Sequence, residues 1–334
     1  MRVLIVKMSS LGDIVQTLPA LHDLKAALPH ATFDWLAEEA FAPLLETNAE
    51  GLADVIRIGL RRWRHSWLSA PTRAERRAFI ARLQAHRYDA VLDFQGLIKS
   101  ALVARRALLA PGGKRYTYGN RSEECGYEWP VRYMVDVPHP MPKRVHAVQR
   151  YRLLAAALYG GEPSGRPVYD LGCPRGGKGR DVMLAHGTTR ADNEWPATDW
   201  IDIGRRLVAN GWAVRLPHAG DVERAWAQGV CEGIGEGAQL MPRMSLAELP
   251  ARMAEMAGVI GVDSGLSQLA VALDLPHVQL FSQPRAWRAG PVGTPHQLPV
   301  GGERAPDADA VWQAWQAVWA AAPRAVESAV GGGE

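Results

Sequence analysis

The chain has 334 residues, of which 47% are hydrophobic and 22% are charged, and its formal net charge is +3. A chain of this length exceeds what one hydrophobic core usually holds, so we expect two domains. The small net charge gives no support for nucleic-acid binding, and no stretch approaches the roughly 20 apolar residues of a membrane span. Because the N-terminus lacks the apolar core of a secretory signal, we expect a cytoplasmic location.

Short apolar runs alternate with helical patterns in the first half of the chain. The predicted strands are 3–6, 33–36, 54–58 and 90–94, and the predicted helices are 13–27, 40–46, 72–86 and 145–159. This alternation is typical of a parallel sheet with helices on both faces. Residues 111–142 are rich in glycine, proline and charge, so we predict a long irregular segment there.

A second α/β unit follows a segment dense in glycine, proline and basic residues, 160–179, which we predict to be an interdomain linker. Its predicted strands are 181–185, 213–216, 259–262 and 278–281, and its predicted helices are 200–209, 222–233 and 269–273. A last helix carries Trp312, Trp315 and Trp319 at spacings of three and four, which predicts one face packed in the core. The predicted domains are 1–165, 175–308 and a C-terminal helix, 309–323, that packs back on the core.

The most informative local pattern is Ser9 to Gln16, directly after the first predicted strand. Gly12 and Asp13 stand where this strand turns into a helix. Such a turn places backbone N–H groups and a carboxylate at the carboxyl edge of a sheet, where open α/β folds bind ligands. We therefore interpret it as the reaction site. The alternative is that Ser9 or Ser10 only caps the helix, with Asp13 a first-turn acid favoured by the helix dipole.

Similar turns follow two other predicted strands. Residues 93–96 repeat the strand, glycine turn and helix order, and we expect this turn to meet the first one at one sheet edge. Residues 263–268 place an acid, a hydroxyl and a glycine at a helix N-terminus, which is a pattern suited to anions. Neither half contains a complete Gly-x-Gly-x-x-Gly fingerprint with a downstream acid, so nicotinamide-dependent hydride transfer is disfavoured.

The densest basic cluster is residues 61–67, Arg-Arg-Trp-Arg-His-Ser-Trp. Tryptophans interleaved with cations suit an anionic, partly apolar partner. A second group of arginines, at 73, 76, 77 and 82, follows a helical pattern that a solvated helix face explains. The three cysteines are far apart, so the sequence predicts neither a disulfide framework nor a structural zinc site.

Several of these motifs, in this order, resemble the ADP-heptose:lipopolysaccharide heptosyltransferases. The resemblance rests on residues 2–13, 60–71, 88–100 and 262–267 and extends over essentially the whole chain. It implies an α/β protein of GT-B fold, with two Rossmann-like domains facing a central cleft. It also implies an ADP-L-glycero-D-manno-heptose donor, Kdo-lipid A as acceptor, inversion at the anomeric carbon, and no metal or other cofactor. Peripheral association with the cytoplasmic face of the inner membrane is a further expectation.

The resemblance assigns roles to individual residues. Asp13 matches the general base, because an inverting transfer needs one carboxylate to remove the proton of the acceptor hydroxyl. The acceptor bears carboxylates and phosphates, which an arginine rim would bind, and we predict Arg61, Arg62, Arg64 and Arg121 for it. The predicted donor-binding residues lie at the turns and in two later segments: Ser10, Gly12, Thr188, Thr189, Asn193, Glu223, Met244, Asp263, Ser264, Gly265 and Gln268.

Two positions depart from the family pattern. The family typically has a lysine where Asn193 stands and a histidine where Gln268 stands. A cation there would stabilise the leaving diphosphate, and Arg190 is the nearest candidate to replace it. Two alternatives therefore stay open: a related glycosyltransferase with another acceptor or nucleotide-sugar donor, and a non-catalytic binding protein of the same fold. The presence of Asp13 speaks against the second.

Overall fold

The computed structural model describes residues 1–123, 125–173 and 179–323. They divide into two compact units. The first comprises Met1–Cys173 together with Ser245–Pro250 and Trp287–Ala289, and the second comprises the remaining described residues. Residues 174–178, which belong to the predicted linker, lie outside the described part of the chain.

The first unit is built from strands that alternate with helices. The strands are β1 (Arg2–Val6), β2 (Thr32–Glu38), β3 (Leu52–Ile58), β4 (Arg87–Asp93), β5 (Leu108–Tyr118) and β6 (Val137–His139). The helices are α1 (Leu11–Ala27), α2 (Ala42–Asn48), α3 (Leu60–Trp63), α4 (Ala70–Leu83), α5 (Ile98–Ala104) and α6 (Ala147–Tyr159). Within the described residues the strands form one parallel sheet of six, in the order β3-β2-β1-β4-β5-β6.

The position of β1 in this sheet follows from its sequence. Its four apolar residues, Val3 to Val6, are completely buried, as expected for a parallel strand covered on both faces. It pairs with β2 on one side and β4 on the other. Because all strands are parallel, their carboxyl ends meet at one edge, where α1 begins. This confirms the layered α/β arrangement predicted for the first half.

The prediction of an irregular segment over 111–142 is wrong for much of its length. Strand β5 runs beside β4, a 3₁₀ helix spans Trp129–Tyr133, and β6 extends the sheet. The glycines of this segment, which indicated a loop, allow β5 to pair closely with β4. A Cβ on Gly113 would stand 2.6 Å from the carbonyl oxygen of Tyr88, and the β4–β5 register shifts between Tyr88 and Ala90. Glycine permits this close approach of two strands.

Residues 179–323 repeat the arrangement of alternating strands and helices. The strands are β7 (Asp181–Ala185), β8 (Ala213–Leu216), β9 (Ala238–Leu240), β10 (Gly258–Val262), β11 (His277–Phe281) and β12 (Gln297–Gly301). The helices are α7 (Ala197–Ala209), α8 (Asp221–Ile234), α9 (Leu249–Ala254), α10 (Gly265–Ala272), α11 (Ala286–Ala289) and α12 (Ala308–Ala321). Within the described residues these strands also form a parallel sheet of six, ordered β12-β11-β10-β7-β8-β9.

Helix α12 carries the predicted tryptophan face. Trp315 is fully buried and meets the ring of Trp212 edge to face, with 5.8 Å between centroids. Trp312 is half-buried and packs against the same core, whereas Trp319 is partly exposed and stacks beside Trp315. Core packing is thus confirmed as the role of this face.

Candidate active site

The loop between β1 and α1 holds Asp13 in a capping box. Ser10 is the N-cap of α1, and its backbone N–H and its hydroxyl each donate to Oδ2 of Asp13 at 3.0 Å. The capping role considered from the sequence is therefore real. It uses one of the two carboxylate oxygens.

The other oxygen of Asp13 faces two residues that lie elsewhere in the first unit. The Tyr151 hydroxyl, on α6, donates to Oδ1 at 3.0 Å, and the Lys7 ammonium lies 3.8 Å from the same oxygen. Lys7 directly follows β1 and is 3% exposed. Its Nζ also donates to the Tyr151 hydroxyl at 3.1 Å and to the carbonyl of Phe94 at 3.3 Å. Three elements thus converge on one carboxylate.

These contacts set the charge of Asp13. Burial raises the pKa of this carboxyl, but the Lys7 ammonium and the hydrogen bonds from Ser10 and Tyr151 outweigh it, so the pKa lies below its ordinary value. Asp13 is therefore ionised at neutral pH. Its side chain is 27% exposed, so a substrate hydroxyl can reach it. A carboxylate has about four lone-pair sites, and the two hydroxyls and one amide leave room for a further hydrogen bond.

The turn after β4 lies against this loop, as predicted. The side-chain oxygen of Gln95 accepts from the backbone N–H groups of Met8 and Ser9 at 3.2 and 3.3 Å. Asp93 closes the turn by accepting from the N–H groups of Gln95 and Gly96 and from the hydroxyl of Ser100. Burial raises the pKa of Asp93 to about 6. These hydrogen bonds join the two turns into one edge beside Asp13.

The predicted acceptor arginines flank this edge on both sides. Arg61 and Arg64 are exposed at α3, which follows β3, and Arg121 is exposed beyond β5. Strands β3 and β5 each lie two strands from β1, so they start roughly 10 Å to either side of it. Arg62 differs, since its guanidinium pairs with both Glu39 and Glu75.

In the second unit the predicted donor residues gather after β7 and β10. Ser264 is the N-cap of α10, and its Oγ accepts from the N–H of Ser267 at 3.4 Å. Asp263 Oδ1 accepts from the amide of Gln279 at 3.1 Å. The first amides of α10, beginning at Gly265, point toward the carboxyl edge, where an anion would be stabilised. Gln268 lies one turn further on and is buried.

The loop after β7 reaches the same place. The amide of Asn193, a buried residue, donates to the carbonyl of Asp263 at 3.4 Å. Thr188 is half-buried and Thr189 is exposed in this loop. Glu223, on α8, lies beside Gly187, where a Cβ would collide with its carboxylate, and it accepts from the N–H of Ala219 at 2.6 Å. The structure therefore groups Thr188, Asn193, Glu223 and Asp263 at one edge.

Two predicted features of this edge stand apart. Met244 follows β9, two strands from β7, and is half-buried. The guanidinium of Arg190, proposed to replace a missing cation, forms a bidentate pair with Asp192 at 2.9 and 2.6 Å. Arg285 lies 3.8 Å from the same carboxylate. Two guanidinium groups, from Arg190 and from Arg285 at the N-cap of α11, therefore lie against the Asp192 carboxylate.

The sequence did not single out Lys7, Tyr151 or His186. Lys7 was visible as a cation at the end of an apolar strand, and this unusual position was a usable signal. Tyr151 lies 138 residues from Asp13, so only the packing of α6 against α1 reveals it. His186, at the end of β7, packs against the ring of Trp226 with 4.5 Å between centroids, and burial lowers its pKa.

No group of three or more histidine, cysteine, aspartate or glutamate side chains in residues 1–123, 125–173 and 179–323 is arranged to hold a metal ion. In the same ranges, no helix combines the length and the apolar character needed to cross a membrane.

The sequence of this chain is similar to those of known glycosyltransferases. The profile of glycosyltransferase family 9 (heptosyltransferase) matches residues 76–307. Lipopolysaccharide heptosyltransferase 1 of Salmonella typhimurium is 37% identical over 84% of this chain and 88% of its own length. The enzyme of the same name from Pseudomonas aeruginosa is 36% identical over 84% of this chain and 78% of its own.

Solved structures agree with the sequence relatives. The E. coli heptosyltransferase WaaC with ADP matches with a TM-score of 0.83 and 35% identity, covering 94% of this chain and 98% of that one. WaaC with ADP-2-deoxy-2-fluoro heptose matches with a TM-score of 0.79 and 34% identity, over the same shares of the two chains. This likeness and the two parallel sheets confirm the predicted GT-B fold class. The chain belongs to glycosyltransferase family 9, the heptosyltransferases.

Proposed function

We propose that this protein transfers L-glycero-D-manno-heptose from ADP-heptose to the Kdo of Kdo-lipid A, with inversion at the anomeric carbon. The observation that carries the proposal is the ionised Asp13 carboxylate, held at a sheet edge by Lys7, Tyr151 and Ser10. The nucleotides bound in the WaaC structures support ADP-heptose as the donor. The names of the relatives support a role in lipopolysaccharide synthesis.

In this mechanism Asp13 is the general base. It accepts the proton of the attacking Kdo hydroxyl while the new C–O bond forms at the anomeric carbon and the bond to the diphosphate breaks. A lowered pKa keeps Asp13 ionised but makes it a modest base. The hydroxyl proton therefore becomes acidic enough for transfer to Asp13 only while the hydroxyl oxygen donates an electron pair to the anomeric carbon. Tyr151 and Lys7 fix the direction of the carboxylate.

The leaving ADP carries negative charge, and the second unit supplies groups that bind it. We assign the diphosphate to the N-terminal amides of α10 at Ser264 and Gly265 and to the hydroxyls of Thr188 and Thr189. Glu223 is assigned to the ribose and Met244 to the adenine. Arg190 in the neighbouring loop and Arg285 at the N-cap of α11 both lie against Asp192, and we propose that the charge of the leaving ADP is stabilised without a metal ion.

The acceptor is proposed to lie along the edge flanked by Arg61, Arg64 and Arg121, whose charges suit the carboxylates of Kdo and the phosphates of lipid A. Arg62 joins this rim only if it exchanges Glu39 or Glu75 for the acceptor. Because the acceptor is a lipid, we also propose that the protein works at the cytoplasmic face of the inner membrane as a peripheral protein.

The direct test is a transfer assay with defined substrates. Purified protein is incubated with ADP-heptose and Kdo-lipid A, ADP release is followed, and the lipid product is identified by mass spectrometry. We expect one heptose to be added, no product with lipid A that lacks Kdo, and an unchanged rate after treatment with a chelator. Faster transfer from another nucleotide sugar would favour the alternative donor that Asn193 and Gln268 leave open. Absence of transfer from every sugar nucleotide would contradict the proposal.

A further inference from the structure

A long apolar groove of about 670 Å³ lies between α4 and α5 on the first unit. We call it the α4–α5 groove. Phe79 and Ile80 of α4 and Val103 of α5 form its apolar surface, together with Trp63 of α3. None of these residues belongs to the candidate active site. The groove adjoins α3, but the transfer mechanism uses none of these four residues.

The direction of the groove follows from the topology. Helix α4 leads from the carboxyl edge of the sheet, after β3, to the amino edge, where β4 begins. With 14 residues it is roughly 21 Å long. The lining extends from Trp63 and Trp67 near its start to Gln84 and Arg106 near its end. A channel of this length and apolar character fits an extended hydrocarbon chain better than a sugar or a nucleotide.

The rim of the groove is positively charged. It carries Arg73, Arg76 and Arg77 on α4 and Arg106 after α5. In the described part of the chain, none of these four forms an ion pair with a carboxylate. The Arg76 guanidinium lies 3.5 Å from the ring centre of Trp67, and Arg73 donates to the carbonyl of Leu68. Arg82, one turn further along α4, is instead neutralised by Asp54.

Apolar side chains also project at the lip. Trp67 and Leu102, which line the groove, are 44% and 55% exposed, and Leu68, next to Trp67 in the chain, is 80% exposed. Tryptophan beside arginine is the combination that settles at a lipid–water interface, where the ring enters the headgroup region and the cation meets phosphate. The same stretch follows directly on α3 and its C-cap, where the proposed acceptor arginines Arg61 and Arg64 lie.

We propose that the α4–α5 groove binds one acyl chain of an anionic phospholipid, with the lipid phosphate held by Arg73, Arg76 and Arg77. The proposal rests on the proposed function and deepens it, because it names the surface by which the protein docks on a membrane. The groove begins beside α3 at the carboxyl edge and runs to the amino edge, away from Asp13. We therefore assign it to a bilayer phospholipid rather than to the acceptor.

The first test compares vesicle binding by charge-reversal variants. Full-length protein is sedimented with vesicles of phosphatidylcholine alone and with vesicles containing one third phosphatidylglycerol, both without lipid A. We expect binding only to the second kind, weakened at least about tenfold by Arg76→Glu combined with Arg77→Glu. The matched control, Lys114→Glu combined with Arg304→Glu, changes the same number of exposed charges elsewhere and should bind as the parent does.

The second test detects the acyl chain itself. Phosphatidylglycerol brominated on its acyl chains quenches nearby tryptophan fluorescence. We expect the quenching to fall when Trp67 is replaced in Trp67→Phe and to persist in Trp129→Phe, which removes an exposed tryptophan outside the groove. Quenching that is equal in the two variants would overturn the placement of the chain.

A water-soluble acceptor separates this inference from the proposed function. The Arg76→Glu and Arg77→Glu variant should transfer heptose to deacylated Kdo acceptor at the parental rate while losing vesicle binding. Vesicle binding that requires lipid A would show that the groove serves the acceptor, and absence of binding to any vesicle would point to another partner. Either result overturns the assignment, whatever the transfer assay shows.

Discussion

Lys7 is the residue whose environment says most about the site. It is nearly fully buried, and burial lowers its pKa, since an ammonium group loses hydration there. Asp13 opposes this effect from 3.8 Å, and the carbonyl of Phe94 and the hydroxyl of Tyr151 accept from the ammonium. A buried cation of this kind is costly unless it is paired. Its arrangement makes sense as the counter-charge that keeps Asp13 ionised.

Removing this cation should change the pH dependence of transfer. In Lys7→Met the pKa of Asp13 should rise, because burial then acts without the opposing charge. The acidic limb of the profile of kcat/KM should move to higher pH by about one unit or more. Tyr151→Phe, which removes one hydrogen bond to the same oxygen, should move it in the same direction by less.

The control for this prediction is Lys25→Met. Lys25 pairs with Asp170 and has no contact with Asp13, so its replacement should leave the acidic limb where it was. If Lys7→Met and Lys25→Met gave the same profile, Lys7 would have no electrostatic effect on the base.

The side chain of Asn193 should affect the affinity for ADP. It is buried beside the carbonyl of Asp263, in the loop assigned to the donor phosphates. Asn193→Lys should tighten ADP binding about tenfold, because an ammonium forms charge-assisted hydrogen bonds to phosphate oxygens. Asn193→Met, of similar length but uncharged, should not. Titration calorimetry with ADP measures both, and equal affinities for the two variants would indicate a site suited to a different donor.

The site residues differ in how far the sequence reveals them. Asp13 is visible because the base and the capping position coincide at one strand-to-helix turn. The pairing of Arg62 is not visible in the sequence, because Glu39 and Glu75 reach its guanidinium from other elements. Its exposed neighbour Arg64 carries the same sequence signal without such pairing. Sequence patterns give residue types and places, whereas tertiary contacts decide which charges are already neutralised.

At the scale of elements, the turn from β4 into α5 is organised by Asp93. Its carboxylate accepts two backbone N–H groups and the Ser100 hydroxyl while almost completely buried. Burial outweighs these bonds and raises its pKa from 3.8 to about 6. The unfolded chain therefore releases this proton at lower pH than the folded protein does. The stability that Asp93 contributes is present below about pH 4 and is lost as the pH rises to about 6.

Asp93→Asn should remove this pH dependence while keeping most of the hydrogen bonds. The free energy of unfolding of the parent, relative to the variant, should fall by up to about 3 kcal/mol between about pH 4 and pH 6 and stay constant above. Urea unfolding at a series of pH values measures the difference. A difference that did not change over this range would mean that Asp93 titrates normally.

Elements with a buried apolar run were predictable, and the edge strands that contain proline were not. Helix α1 and strand β7 follow their predicted positions because the core buries the apolar run that each carries. Strands β6 and β12 contain Pro138 and Pro299, which read as turn signals. Proline is tolerated at the edges of sheets, and both strands lie at an edge. Their existence depends on the neighbouring strand rather than on their own pattern.

At the scale of the whole molecule, one chemical device appears twice. In each unit a buried parallel strand ends at the edge of the sheet, and a helix begins there with its N-terminal amides directed toward that edge. The N-terminal copy adds a carboxylate with a lysine behind it, and the C-terminal copy adds hydroxyls and arginines. Strand and helix alternation predicted this layering. The assignment of substrates required the resemblance to a family, because neither the turns nor the net charge specify a heptose.

Comparison of Asp13→Asn with the parent tests directly whether Asp13 is the base of the heptosyl transfer. Turnover with ADP-heptose and Kdo-lipid A and the affinity for ADP are measured on the same preparations. Asp202→Asn, which alters a surface carboxylate paired with Arg206, is the control. We expect kcat to fall by about 10²–10⁴-fold in Asp13→Asn, with ADP affinity unchanged within about twofold. Turnover near the parental value would contradict the assignment of Asp13.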